Sequence, residues 1–494
     1  MLTEPVASGV ARTQRLSVGQ NTRTPVRFWE VATVVLLSAI VLFLKLGVQP
    51  LADWDEAIYA QISREIVQSH TWIPLSWNYQ PWFEKPPFFM WATALLFKLF
   101  GVTEFWARAA SALSGIALCV LMFSFAKRVA NSRAAWLTVM ALLTTIGFYD
   151  AARFGTTDVM LTLGMYVGLV GIFYVDEGLL WGWYPFGIGF GIAAMTKGAA
   201  CAPLFLTIAY VAIRHRWGKD KFNRQFVTSI LIFAAIVLPW HIYMYARYGK
   251  GFVENYLGFQ VIGRALHTLE GNHGGPRYYL LVIANRASPW VFFLPLAFLR
   301  TLKDRRLQVF ATFSVILLIF FTLVDTKLPW YIVPLYPAIA IMVGFQLDEV
   351  LREYPRAARL YPAGIVAVIA AFLALSIHYI HGFDQARGDV KLLLHHEPKN
   401  YAGPILLCSD RTNLPIPSDL FYGRRKIIPA YFNAEPPDVP PGDHLWVPVK
   451  DVVTSGHDLA LIDRRSTAAL PPSLNCKKIA ETKDFTLAML SRKQ

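Results

Sequence analysis

Carboxylates stand beside long apolar segments of this sequence, where they could carry out chemistry. Asp55 and Glu56 follow the first apolar segment, and Asp158 begins a later one. A carboxylate held next to a hydroxyl can take its proton as a general base. The alternative is structural, because Asp53 could cap a helix and Glu56 could close a capping box, with Asp55 favoured only by the helix dipole.

The segment around these acids has the pattern of a helix at a membrane surface. Ile58, Ile62 and Ile66 recur at a spacing of four residues, which puts them on one helical face. The sequence therefore predicts a helix over residues 53–66 with this apolar face lying on the membrane.

Cations follow in positions that suit a lipid phosphate. Glu84 and Lys85 precede Pro86 and Pro87. Pro86 holds Lys85 extended, and Pro87 can occupy the first turn of the next helix. An ammonium group beside a helix N-terminus at the membrane surface is suited to binding a phosphate. Ordinary snorkelling of Lys85 is the alternative.

Further charged residues lie in two other turns. Lys197 precedes Gly198, which predicts a helix C-cap at a tight turn. A long loop is predicted over residues 246–281. It contains Arg264, His267, Glu270, His273 and Arg277. The spacing of its histidines and Glu270 matches no strong metal motif, so whether a divalent metal is required stays open.

The elements that position these residues are membrane spans. The chain has 494 residues, of which 55% are hydrophobic and only 16% charged. The formal net charge of +14 comes mainly from short loops between apolar segments. This is the pattern of membrane topology and argues against a nucleic-acid partner. Twelve apolar segments are predicted, near residues 31–48, 88–100, 106–125, 134–149, 158–175, 181–196, 199–213, 226–245, 282–300, 307–324, 330–347 and 361–380.

The segment 88–100 decides the topology, because its 13 residues are short for a span and fit an interfacial or re-entrant helix better. If it does not cross, four basic loops holding 15 Lys and Arg residues lie inside with the N-terminus. They are residues 127–133, 214–224, 300–306 and 352–359. This favours eleven spans, within a range of about 11–13, and a C-terminus outside. Asp55, Glu84, Lys85, Asp158, Lys197, Asp325 and Lys327 then all lie on the outer face, although none was used to set the topology.

The two ends of the chain have different compositions. Residues 1–27 are polar and Arg-containing, which predicts a disordered cytoplasmic tail. Residues 28–380 form the transmembrane domain, with outer loops at 49–105 and 246–281. From His381 to the end the hydropathy falls and Pro and Gly clusters recur, which predicts a small soluble α/β domain outside the membrane. Cys408 and Cys476 lie in it, and a disulfide or two free thiols are both possible.

Six sequence blocks together resemble the GT-C type membrane glycosyltransferases. They resemble the branch that contains the lipid A aminoarabinose transferase and the protein O-mannosyltransferase-like proteins. The resemblance runs in order from about residue 30 to 380. The blocks are Asp55-Glu56-Ala57-Ile58-Tyr59, Phe83-Glu84-Lys85-Pro86-Pro87, Arg153-Phe154-Gly155-Thr156-Thr157-Asp158, Thr196-Lys197-Gly198, Leu238-Pro239-Trp240 and Lys327-Leu328-Pro329-Trp330-Tyr331.

The resemblance implies a role for each matching residue. Asp55 would be the general base, with Asp158 and Glu56 as further catalytic carboxylates. The donor phosphate would be held by Lys85 and Arg264, with Tyr331 as a weaker candidate and Tyr336 as its alternative. The remaining candidates for the active site are Glu84, Lys197, His273 and Lys327. Relatives often have a His shortly before the Arg that matches Arg264, whereas this chain has Gln260, which weakens a shared metal site.

The implied activity is transfer of a hexose or pentose from a polyprenyl-phosphate lipid. The acceptor would be a hydroxyl or phosphate of a lipid A-like lipid, a glycan or a protein, on the outer face of the cell (inner) membrane. The competing hypotheses are a transporter or flippase, a glycan polymerase or ligase, and a non-catalytic relative. Charges at one boundary and the absence of an internal repeat argue against transport.

Overall fold

The computed structural model describes residues 25–267, 272–301, 303–380, 388–398, 400–409, 416–432, 447–453, 458–464 and 470–493. The predicted cytoplasmic tail therefore lies almost wholly outside the described residues, as does Glu270. The membrane part is helical. Its α-helices are α1 (Phe28–Phe43), α2 (Asp55–Ser69), α3 (Phe88–Phe100), α4 (Glu104–Val129), α5 (Ser132–Leu143), α6 (Ile146–Ala152), α7 (Asp158–Asp176), α8 (Trp183–Lys197), α9 (Ala202–Arg214), α10 (Arg224–Val253), α11 (Arg264–Leu266), α12 (Tyr278–Arg286), α13 (Leu294–Thr301), α14 (Gln308–Leu323), α15 (Tyr336–Glu353), α16 (Pro355–Ala358) and α17 (Tyr361–Ile380).

Within the described residues, five helical stretches are long and apolar enough to cross a membrane, and two bent pairs bring the number to seven. The pairs are α5 with α6, bent by 70°, and α12 with the helical segment Trp290–Thr301, bent by 114°. The sequence pattern predicted each pair as one uninterrupted segment. A hydrogen bond joins the two bent regions: the Trp290 indole N–H donates to the Thr144 hydroxyl at 3.0 Å.

One of the five stretches, Leu180–Arg214, contains two helices that run in opposite directions. Gly198 ends α8 with φ of +54°, a backbone conformation that favours glycine. The chain then returns through α9, so that Trp217 lies 6.0 Å from Trp183 at the start of α8, measured between ring centroids. The tight turn predicted at Lys197 and Gly198 is therefore confirmed.

Helix α2 begins at Asp55, two residues after the start of the predicted helix, and its apolar face does not lie on the membrane. Ile58, Ile62 and Ile66 are buried, together with Phe89 and Met90 of α3. A spacing of four residues indicates that one helical face is covered, but it does not identify whether lipid or another helix covers it. In this protein α3 covers the face.

The predicted loop 246–281 is also largely helical. Helix α10 continues to Val253 with a kink at Gly249, and a π-helical segment, Glu254–Gly263, joins it to α11. Tyr256 of this segment packs with Trp240 and Phe252 beneath Phe83. The extended α10 thus forms one wall beside the segment that carries Lys85.

The C-terminal part is a mixed α/β domain. Its elements are α18 (Gly388–Leu394), β3 (Ile405–Cys408), α19 (Ile416–Gly423), β4 (Ile427–Tyr431), β5 (Val447–Pro448), α20 (Val449–Val452), β6 (Asp458–Asp463), β7 (Leu474–Glu481) and β8 (Phe485–Arg492). The strands form a sheet of order β5-β4-β3-β6-β8-β7, with parallel pairs from β5 to β6 and antiparallel pairs from β6 to β7. Cys408 and Cys476 are free thiols.

A small hairpin lies outside this domain. It is formed by β1 (Ser76–Trp77) and β2 (Gln80–Pro81) and follows α2.

Candidate active site

Asp55 is the first residue of α2, and its carboxylate contacts two polar side chains. The Tyr59 hydroxyl donates to its Oδ1 at 3.0 Å, and the Lys85 Nζ lies 3.7 Å from the same oxygen. The Asp55 side chain keeps 33% of its surface exposed. Both contacts use Oδ1, so Oδ2 is the oxygen available to a substrate hydroxyl.

Lys85 lies between the hairpin and Pro86-Pro87. Pro87 is the N-cap residue of α3, so Lys85 is held close to the start of that helix. Its ammonium group lies 5.0 Å from the centroid of the Tyr59 ring. The aromatic face and the Asp55 carboxylate both stabilise the charge. The sequence prediction that Lys85 stands at a helix N-terminus is confirmed.

Several cations set the protonation state of Asp55. Burial raises the pKa of this carboxyl group, but Lys85, Lys197 and Arg264 favour the charged form and hold the pKa below its ordinary value. Glu84 differs, because burial raises its pKa and neighbouring Asp55 adds to the increase. Of these two acids, Asp55 is therefore the one whose surroundings favour the charged form.

Asp158 forms a second acid–lysine pair deeper in the site. It begins α7, and the Lys197 Nζ at the end of α8 lies 2.5 Å from its Oδ1. The same ammonium group lies 5.3 Å from the centroid of the Tyr331 ring. Because Lys197 also acts on Asp55, the two pairs belong to one electrostatic cluster. The structure therefore brings Asp55, Lys85, Asp158, Lys197 and Tyr331 together.

Glu56 does not belong to this open cluster, although it is adjacent to Asp55. Its side chain is fully buried, and Arg108 donates to both carboxylate oxygens, at 2.8 and 2.9 Å. The backbone N–H groups of Ala52 and Gly155 also donate to it, at 2.7 and 2.9 Å. The expected capping box is not formed, because Trp54 occupies the N-cap position rather than Asp53.

The bonds of Glu56 join three parts of the chain. Arg108 also donates to the backbone oxygens of Leu46, Gln49 and Pro50, the loop that leads to α2. Gly155 approaches so closely that an added Cβ would lie 2.9 Å from the Ala107 carbonyl oxygen. Glu56 thus has the contacts of a structural residue that fixes the start of α2.

Arg264 begins α11, after the π-helical segment. Its Nε donates to Gln260 Oε1 at 2.8 Å, so Gln260 orients the guanidinium group. The backbone oxygen of Arg264 accepts from Thr326 at 3.4 Å, and Lys327 N–H donates to Asn272 at 2.9 Å. Arg264 contributes to the charge at Asp55 and Glu84 and therefore belongs to the cluster.

Two other sequence candidates, Lys327 and His273, lie in the segments that follow α14 and precede α12. Lys327 donates to the backbone oxygens of Thr322, at 2.9 Å, and of Val324, which places it at the C-terminal end of α14. It satisfies carbonyl groups that the end of a helix leaves open. His273 is exposed in the segment after the undescribed residues 268–271. Among the described residues, no group of three or more His, Cys, Asp and Glu side chains could hold a metal ion.

Tyr59 and Arg108 were not predicted from the sequence as partners of the two acids. Tyr59 stands four residues after Asp55, the spacing at which side chains meet on a helix, so a signal was present. Arg108 is 52 residues from Glu56, and nothing in either segment indicates that they pair.

Comparisons with known proteins find relatives in sequence and in fold. Residues 84–243 match the family described as dolichyl-phosphate-mannose-protein mannosyltransferase. The chain is 27% identical over 335 residues to undecaprenyl phosphate-alpha-4-amino-4-deoxy-L-arabinose arabinosyl transferase 1 of Pseudomonas fluorescens, covering 65% of this chain and 58% of that protein. It is also 27% identical over 381 residues to the corresponding transferase of Shewanella sediminis, covering 72% and 66%. The matches thus span about three fifths to two thirds of these relatives' length.

The fold has a solved counterpart. The crystal structure of ArnT from Cupriavidus metallidurans bound to undecaprenyl phosphate superposes with a TM-score of 0.74 at 22% identity, covering 94% of this chain and 98% of that one. Its apo form gives a TM-score of 0.75 at 21% identity, covering 93% and 98%. This establishes the GT-C fold. In sequence and in fold, the chain resembles the GT-C membrane glycosyltransferases, and the resemblance indicated by its motifs is confirmed.

Proposed function

We propose that this protein is a membrane glycosyltransferase that takes its sugar from a polyprenyl-phosphate lipid. The acceptor is a hydroxyl or phosphate of a lipid A-like lipid, a glycan or a protein of the cell envelope. The observation that carries the proposal is the cluster around Asp55, an accessible and ionised carboxylate beside Lys85, Lys197 and Arg264. The names of the relatives support the class of donor.

This arrangement suits displacement of a lipid phosphate. The acceptor hydroxyl attacks the anomeric carbon of the sugar, and the bond from that carbon to the phosphate oxygen breaks. The proton passes to Asp55 Oδ2, and the configuration at the anomeric carbon is inverted. Because its pKa is lowered, Asp55 stays ionised and accepts the proton as the hydroxyl becomes acidic during attack.

The cations stabilise the phosphate that departs. Lys85 keeps 15% of its side chain exposed next to Asp55, and Arg264 adds a guanidinium held by Gln260. Tyr331 and Asp158 hold Lys197 near the same cluster. Positive groups placed where charge develops lower the barrier more than they strengthen substrate binding.

The proposed topology has eleven spans, with α2 and α3 on the outer side and the C-terminal domain outside the inner membrane. Helix α3 has 13 residues, about 20 Å, which is shorter than the roughly 30 Å of a hydrocarbon core. Its packing on α2 also suits an interfacial position. Reporter fusions after Gln494 and in loop 214–224 should report opposite sides of the membrane. Both reporters on one side would overturn this topology.

Purified protein in lipid nanodiscs, supplied with sugar-linked undecaprenyl phosphate and extracted envelope acceptors, tests the function. We expect release of undecaprenyl phosphate and a matching mass increase of one acceptor class. Mass spectrometry of lipids and glycoproteins from cells with and without the gene identifies that class. If neither a lipid, a glycan nor a protein gains mass, the proposal is wrong.

A further inference from the structure

The C-terminal domain contacts α2, which carries Asp55, and the hairpin that precedes Lys85. Residues Leu420, Phe421 and Tyr422 lie in the last turns of α19, against α2. Ile427 begins β4, beside the turn of the hairpin. The mechanism above does not use these contacts.

The first contact holds α2. Arg64 is 3% exposed and donates to the backbone oxygens of Leu420, at 2.7 Å, and Phe421. Its guanidinium also lies 5.4 Å from the centroid of the Phe421 ring. Arg64 therefore satisfies carbonyl groups at the C-terminal end of α19 from the middle of α2. The Tyr422 hydroxyl accepts from the Leu51 N–H at 2.8 Å, just before α2 begins.

The second contact holds the hairpin that leads to Lys85. Asn78 and Tyr79 form its turn, both with positive φ, and Asn78 is 3% exposed. The Asn78 amide donates to the Ile427 backbone oxygen at 3.0 Å and accepts from the Ile427 N–H at 3.2 Å. A side-chain amide here bonds a strand as a neighbouring peptide group would.

The third contact joins the hairpin to α2. Glu65 is 1% exposed, and its Oε2 accepts from the Ser76 hydroxyl at 2.6 Å and from the Tyr79 N–H at 3.1 Å. Gln61 donates to the other oxygen at 2.7 Å. Helix α2, the hairpin and the C-terminal domain thus each make buried polar contacts with the other two.

We infer that the C-terminal domain is a positioning element for the candidate active site, with Arg64 and Asn78 as the positioning residues. Asp55 stands at the start of the helix that Arg64 holds, and Lys85 follows the hairpin that Asn78 holds. The separation of carboxylate and ammonium is therefore set through the C-terminal domain. A misplacement of about 1 Å can reduce a rate roughly a hundredfold, so this support is functionally significant.

This inference rests on the proposed function, and two measurements test it. Transfer activity depends on the proposed function, whereas amide hydrogen exchange does not. The test compares Asn78→Ala, Arg64→Met and Arg64→Lys in the full-length protein. Arg492→Met is the control, because Arg492 also donates to two backbone oxygens, Val453 and Lys450, but within the C-terminal domain. We expect Asn78→Ala and Arg64→Met to lower kcat/KM by about ten- to a hundredfold, with faster amide exchange over residues 52–60 and 76–87. Arg64→Lys should recover part of the activity, and the control should keep it.

The pH profile separates positioning from simple instability. The charged and titratable groups around Asp55 are Lys85, Tyr59, Lys197, Arg264 and Glu84. When Lys85 shifts away, the acid limb of kcat/KM should move to higher pH, whereas loss of folded protein lowers the whole profile without moving it. Unchanged exchange in both segments, or a lowered profile with an unmoved limb, would overturn the inference. If the parent protein transfers no sugar, the function fails and the exchange data still decide the positioning role. If Asn78→Ala does not fold, the two Arg64 variants decide it.

Discussion

Two adjacent acids of α2, Asp55 and Glu56, form ion pairs that differ in exposure and in the number of their hydrogen bonds. Asp55 is 33% exposed, with Lys85 at 3.7 Å, 15% exposed. Glu56 is fully buried, with Arg108 bonded to both of its oxygens. One carboxylate keeps an accessible oxygen, while the other has both oxygens occupied by the protein. Sequence position cannot tell these acids apart, whereas their contacts do.

The difference in contacts supports a catalytic role for Asp55, as proposed above, and a structural role for Glu56. A base must present a lone pair to its substrate, which Asp55 can do and Glu56 cannot. A buried ion pair, in contrast, loses stability when one partner is removed, because the other charge is left uncompensated. Mutations at the two positions should therefore affect different quantities.

The largest expected effect is on catalysis at Asp55. Asp55→Asn keeps the shape of the side chain but cannot accept a proton, so the transfer rate should fall by about 10²–10⁴. The melting temperature and donor binding should change little, since Asn also tolerates a helix start. A variant that transfers sugar at nearly the parent rate would remove Asp55 from the mechanism and make Asp158 the leading base.

Glu56→Gln should act on stability instead. It leaves Arg108 buried beside a neutral partner, and we expect a loss of about 3–5 kcal/mol in unfolding free energy. Denaturant unfolding in detergent measures it, with turnover expressed per folded molecule. The matched control is Glu349→Gln, which breaks a pair with Arg300 that is 56% and 40% exposed and should cost at most about 1 kcal/mol. Equal costs for the two changes would contradict the structural role of Glu56.

Lys85→Met should weaken donor binding. Methionine keeps much of the stem but removes the ammonium group, and a lost charge-assisted contact costs about 1.5–3 kcal/mol, roughly ten- to a hundredfold in affinity. Titration with undecaprenyl phosphate measures this directly. Lys98→Met, an exposed change in the last turn of α3, serves as the control and should bind as the parent does. Undiminished affinity in Lys85→Met would refute the phosphate-binding role.

The smallest effect is expected at Lys327. Its ammonium group stabilises the C-terminal end of α14, so Lys327→Met should cost about 0.3–1 kcal/mol through the helix dipole. Turnover per folded molecule should be unchanged, which thermal unfolding and transfer assays on one sample can check. A stable variant without activity would return Lys327 to the list of site residues.

The sequence predicted the apolar helices well because hydropathy indicates which segments leave water, whether lipid or protein then covers them. The segment 88–100, for example, coincides with α3. It failed where two helices bend, at α5–α6 and after α12, because each bend is stabilised by contacts with distant residues such as Trp290 and Thr144. The interfacial face of α2 was misassigned for a similar reason, since periodicity does not identify what covers a face.

The candidate site was predictable only in part. Asp55, Lys85, Asp158 and Lys197 could be named because motifs in order carry them, and the structure brings them together. The role of Glu56 depends on Arg108, which lies far away in the sequence and follows from packing alone. The contacts of Arg64 with α19 could not be predicted either, because these residues are far apart in the sequence and meet only in the folded protein.

The pH dependence of kcat/KM in the parent and in Lys85→Met tests most directly whether Asp55 is a base tuned by its neighbours. In the parent, the cations hold the pKa of Asp55 below its ordinary value, so activity should persist to low pH and fall only as the pH drops through that lowered pKa. Without the ammonium group of Lys85, the pKa should rise and the acid limb should move to higher pH. Superimposable acid limbs in the two proteins would contradict the assignment of Asp55 as the base beside Lys85.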